Sequence, residues 1–85
     1  MLYDNKRNEF EIIREILHLA DKEIKKTRLM NQTNMCYNHF NEYLKFLIKN
    51  KLLEERVNDL GRRVYITTEK GKKILEKITL VIEEI

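Results

Sequence analysis

Apolar positions along this chain recur at two periods. From Asn8 to about Lys22, Phe10, Ile13, Ile16, Leu17 and Ala20 fall three and four apart, the spacing of a helix with one buried face. Asn8 is placed to cap that helix, and Glu9 and Glu11 to meet the positive end of its dipole. Ile12 and Leu19 lie off the stripe, seven residues apart, either as the edge of a wide core face or as a contact for another subunit. Asp21 to Lys25 breaks the pattern. A short second helix opens at Lys26 and Thr27, with Thr27 a candidate cap, Leu29 and Met30 inward and Arg28 outward. It ends near Thr33 and Asn34, and Met35 anchors the turn that follows. A third helix places Tyr37, Phe40, Leu44, Leu47 and Ile48 on its apolar side. At about 100° per residue, Asn38, Asn41, Glu42, Lys45 and Lys49 share one narrow arc on the other side.

The period then changes. LEERVNDLGRRVYIT alternates as strands do, which predicts a hairpin of Leu53 to Val57 and Arg63 to Thr67 joined through Asn58, Asp59, Leu60 and Gly61. Arg62 and Arg63 follow the glycine that eases a positive φ at the tip. Thr68 is set to cap a last helix from Glu69 to the end of the chain, with a stripe of Ile74, Leu75, Ile78, Val81, Ile82 and Ile85. Gly71 in its first turn costs helix propensity, which points to a close backbone approach there. Two helices joined by a tight turn, a preceding helix, a two-stranded wing and a C-terminal helix make an α+β winged helix-turn-helix. The whole of 1–85 is one domain, with a core over 8–68 and the terminal helix over 69–85. Residues 1–7 have no period and read as a loose arm, with Lys6 and Arg7 near its end.

Length and composition narrow the chemistry. Eighty-five residues hold one modest core but not a core plus a roomy pocket. There is no paired-carboxylate constellation, glycine-rich phosphate loop or ligand cluster, so an enzyme is not expected, nor any cofactor or small-molecule substrate. Cys36 and His39 lie three apart and could share a helix face, but two ligands are too few for a zinc site, and no metal is expected. His18 falls on the polar side of the first helix and reads as a surface residue. One cysteine cannot form an intramolecular disulfide, and no apolar run approaches the length of a membrane span, so a cytoplasmic protein is expected.

Net charge is only +3, but it is unevenly spread. Residues 22 to 51 carry seven Lys/Arg against two acids and 56 to 77 carry seven against three, while the first 21 residues are net negative. A sided positive field suits a polyanion. The arc on the third helix carries chemistry that can read base edges: asparagine pairs with adenine, a carboxylate accepts from the cytosine amino group, and lysine reaches guanine or phosphate. An ordinary solvated helix face carries the same residue types, and charged hairpin tips are common for solubility alone.

Several segments also resemble a known family. EIIREIL in the first helix, KTRLM opening the second, NMCYNHFNEYLKFL across the turn, LLEE before the wing and YITTEKGKKIL after it match, in order and spacing, the archaeal winged-helix family that includes the small chromatin-associated DNA-binding proteins of Sulfolobus. The match spans roughly residues 9 to 76. One departure is Cys36, where that family usually has a serine able to cap the recognition helix.

The resemblance implies a double-stranded DNA partner and a nucleoid-associated location. Asn38, Asn41, Glu42 and Lys45 would face bases in the major groove. Lys25, Lys26, Arg28 and Lys49 would lie on phosphates, and Arg62 and Arg63 would extend the wing to adjacent backbone or minor groove. The terminal stripe is longer than one small domain should cover, which predicts a homodimer through Ile78, Val81, Ile82 and Ile85, joined by Ile12 and Leu19. The competing reading is a winged helix that presents its last helix to a different, larger protein without binding DNA.

Overall fold

A computed structural model describes the backbone of residues 8–84 and the side chains through Glu83. Its elements run α1 (Glu9–Leu19), β1 (Ile24–Lys25), α2 (Lys26–Thr33), α3 (Tyr37–Lys49), β2 (Leu53–Val57), β3 (Arg63–Thr67) and α4 (Glu69–Glu84). The arm at residues 1–7, with Lys6 and Arg7, and Ile85 of the terminal stripe lie outside the described residues.

Asn8 caps α1 as its position predicts, its side-chain oxygen accepting from the Glu11 amide at 2.9 Å. Ile16, Leu17 and Ala20 are fully buried, and Ile12, Ile13 and Leu19 pack partly buried against the same core. Ile12 and Leu19 thus reach the core from its edge and keep part of their surface exposed. Phe10, expected inside, is mostly exposed in the first turn. Periodicity fixes a side chain's angle about the helix axis, not whether a neighbouring element reaches that turn.

The first helix also stops earlier than its pattern suggests, at Leu19 rather than near Lys22. The Ala20 carbonyl accepts from the Thr67 amide at 2.8 Å, and the buried Thr67 hydroxyl donates to the Leu17 carbonyl at 2.7 Å. The end of α1 is thus tied to β3. The freed chain then pairs as a strand, with Ile24 opposite Tyr65 and Lys25 opposite Val64. The sheet accordingly has three antiparallel strands in the order β1-β3-β2, not the two of a bare wing.

Strand pairing at Lys25 also moves the start of α2. Lys25 is the N-cap residue, extended and without a side-chain cap, and Thr27 lies inside the helix rather than capping it. At eight residues α2 is too short to persist alone, so it depends on burying Leu29 and Thr33. Asn34 ends it in the left-handed region at φ 55°, a conformation asparagine tolerates, and Met35 packs on the core beyond the turn.

Phe40, Leu44 and Leu47 bury one side of α3. Its C-terminus closes with the Leu52 amide on the Leu47 carbonyl at 2.9 Å and the Lys51 amide on the Ile48 carbonyl at 3.0 Å, around Lys51 at φ 61°. That is a Schellman arrangement, and it brings buried Leu52 against buried Leu47 at the entry to the wing.

The Thr68 hydroxyl accepts from the Gly71 amide at 3.0 Å, capping α4 as expected. Gly71 is buried, and a Cβ there would collide with the Leu52 carbonyl oxygen and sit 2.6 Å from Thr67 Cγ2. The close approach inferred from the glycine is real. Beyond it α4 packs along α1, with Ile74 and Leu75 on the core, Ile78 and Ile82 half-buried, and Leu80 and Val81 exposed.

Candidate nucleic-acid interface

The candidate surface begins on α3, whose apolar side is fixed by Phe40, Leu44 and Leu47. That burial leaves Asn38, Glu42, Lys45 and Lys49 exposed and Asn41 half-buried, one continuous arc on the solvent side. Glu42 also borders a shallow cleft of about 320 Å³ toward α1, shared with Glu9, Ile13, His39, Tyr43 and Phe46. It therefore sits at the rim of the arc.

Tyr37 was expected in the apolar stripe of α3, and it is instead 60% exposed. It opens α3 in the turn after α2, and the Lys26 ammonium lies over its ring, 5.3 Å from the centroid. An exposed cation–π contact of this kind contributes about 0.5–1 kcal/mol, enough to orient both groups without burying either. Lys26, a candidate residue, and Tyr37, which was not one, thereby link the start of α2 to the start of α3.

The wing meets the same place. Tyr65, buried on β3, donates its hydroxyl to Glu55 Oε2 across the ladder at 2.7 Å. Burial, then the hydrogen bond and charge of Glu55, push the Tyr65 hydroxyl far above its ordinary range, while Arg63 pulls it back and Tyr37 adds a small rise. The neighbours that act on this one hydroxyl come from the recognition helix and from the wing. Arg63, at the last ladder pair below the turn, is one of them.

The cations divide into two groups. Arg56 on β2 hydrogen-bonds Glu54 at 2.8 Å and lies 3.6 Å from Glu23, and those acids raise its pKa while Glu54 is lowered in turn. Its charge is already answered. Among the described residues, Lys25, Arg28, Lys45, Lys49, Arg62 and Arg63 form no ion pair, and all six are exposed. Lys25 is set by β1 pairing, Arg28 by the outer side of α2, and Arg62 and Arg63 by the hairpin.

Cys36 stands at the N-cap of α3 and makes no side-chain cap hydrogen bond there, so the departure from serine leaves that helix start without a side-chain cap. Among the described residues no three His, Cys, Asp or Glu side chains gather as a metal site, and no helix is long and apolar enough to cross a membrane.

A winged helix-turn-helix family model matches residues 6–85. The chain belongs to the winged helix-turn-helix family. Among its relatives are two uncharacterized proteins of Methanocaldococcus jannaschii. MJ0287 is 34% identical over 79 residues, covering 92% of this chain and 76% of that protein. MJ0290 is 36% identical over 74 residues, covering 86% of this chain but only 33% of that longer protein. Among solved structures, this winged helix-turn-helix resembles Sso10a-2, a DNA-binding protein from Sulfolobus solfataricus. The TM-score is 0.81 at 28% identity, over 91% of this chain and 80% of that one. F-93 of SSV1 shares the fold at a TM-score of 0.74 and 24% identity, over 96% of this chain and 94% of its own.

Two residues of this winged helix-turn-helix surface escape a reading by periodicity. Tyr37 was hidden by its hydropathy, although a tyrosine one residue into a helix after a turn is well placed for solvent. Leu60, at the apex of the wing, is 75% exposed, and nothing in a hydropathy pattern assigns a role to an apolar turn residue.

Proposed function

We propose that this chain binds double-stranded DNA as a transcriptional regulator or a small nucleoid protein. The recognition helix α3 enters the major groove with Asn38, Asn41, Glu42 and Lys45 toward base edges. Lys25, Lys26, Arg28 and Lys49 neutralise phosphates, and Arg62 and Arg63 carry the wing onto adjacent backbone or minor groove. The observation that carries this reading is the set of exposed cations with no acid partner among the described residues, arranged around a polar recognition-helix arc. Charges left unpaired in the free protein are ready for phosphate without first breaking an ion pair. The DNA-binding character of Sso10a-2 supports the same reading. A homodimer through α4 would present two such surfaces to successive turns of the duplex.

Base contacts and phosphate contacts lose different things when truncated, and anisotropy titrations against a selected site and a scrambled duplex separate them. Arg63→Ala and Lys26→Ala weaken both duplexes alike. Asn41→Ala costs about 1–3 kcal/mol on the selected site and little on the scrambled one. An unchanged site preference in Asn41→Ala assigns the protein to shape recognition and the nucleoid role. Unchanged affinity in both cation variants removes the proposed surface.

A further inference from the structure

The tip of the wing is an apolar point on a rigid mount. Asn58, Asp59, Leu60 and Gly61 make a turn closed by the Gly61 amide on the Asn58 carbonyl at 2.9 Å, and the Asn58 amide returns to the Arg62 carbonyl at 2.8 Å. The Asn58 side-chain oxygen accepts from the amides of both Leu60 and Arg62, at 3.0 and 2.9 Å. Gly61 supplies the left-handed residue at φ 76°. This is a three-residue hairpin loop with a glycine bulge, and one asparagine takes part in four of its hydrogen bonds.

Leu60 occupies the apex, where turn chemistry ordinarily favours a polar residue or glycine, and it is 75% exposed. Val57, at the last ladder pair opposite Arg63, is 68% exposed. Arg62 and Arg63 follow immediately, neither in an ion pair among the described residues, while Asp59 is the one acid in the loop. Apolar atoms on a narrow, preordered projection flanked by guanidinium groups fit the minor groove of duplex DNA. Its phosphate walls attract the cations, its sugar edges offer apolar contact, and the faces of adjacent bases are exposed to a wedge where a step unstacks.

We infer that Leu60 is a wedge that enters the minor groove at a deformable base step, so that the wing bends DNA rather than merely resting on it. The inference rests on the DNA-binding reading and adds the form of DNA recognised. Because the turn is held by Asn58, little ordering remains to be done on binding, and the cost of partial unstacking is met by the arginine contacts the bend allows. Pyrimidine–purine steps such as TA, the easiest to unstack, are the expected positions.

The test uses the full chain and a duplex of about 25 base pairs at roughly 50 mM salt, carrying 2-aminopurine at a central TA step and a donor–acceptor dye pair on its ends. The unmodified protein raises 2-aminopurine fluorescence and shortens the end-to-end distance, corresponding to a bend of about 20° or more. Leu60→Ala, with unchanged circular dichroism, binds within about tenfold of the original but loses both signals, and Leu60→Phe restores them. Bound DNA that gives neither signal, or Leu60→Ala behaving as the original, overturns the wedge and leaves DNA binding intact. Absence of binding at this salt overturns both.

Discussion

Gly71 shows how a single position can reverse a general preference. Replacing a helical glycine with alanine ordinarily gains up to about 1 kcal/mol in helix propensity. Here the added methyl would meet the Leu52 carbonyl oxygen and Thr67 Cγ2, and that carbonyl already accepts from the Thr68 amide at 3.1 Å. Neither neighbour can yield without disturbing the junction of wing and α4. Overpacking of this kind costs about 1–3 kcal/mol, so the clash outweighs the propensity. Gly71→Ala is therefore expected to lower the urea midpoint with an unchanged slope, and a raised midpoint would show that the junction relaxes freely. The glycine's meaning was legible from its place in a first helical turn. Tyr37 and Phe10 were not, because both have core-facing angles in the periodic pattern yet sit in the first turns of α3 and α1, where they remain exposed.

Among the elements, length decided what could be read. The hairpin strands alternate over five residues each, and Leu53–Val57 and Arg63–Thr67 stand where that alternation put them. The strand Ile24–Lys25 has two residues, too few for any period, yet it sets the start of α2 and places Lys25. Arg56 and Arg63 are indistinguishable as letters in two paired strands, but only Arg56 is occupied by acids. For α4 the stripe was legible and its neighbours were not. Ile78 and Ile82 are already half-buried within one chain, which leaves Leu80 and Val81 as the exposed apolar pair. If α4 pairs between subunits, sedimentation at tens of micromolar gives a dimer, and Val81→Asp gives a folded monomer with weaker DNA binding. A clean monomer from the unmodified chain contradicts the dimer and makes Leu80 and Val81 a docking face for another protein.

At the scale of the molecule, the fold sorts charge without a large net value. Seventeen Lys/Arg against fourteen acids would give a weak uniform field. Arg56 instead pairs with Glu54 of its own strand and with Glu23 just before β1, while among the described residues Lys25, Arg28, Lys45, Lys49, Arg62 and Arg63 form no ion pair around α3 and the wing. If this surface meets phosphates, duplex binding weakens steeply as salt rises. If each subunit neutralises about four to six phosphates, log K against log salt concentration falls with a slope of roughly −4 to −5. A flat response, or no duplex binding at low salt, contradicts the account.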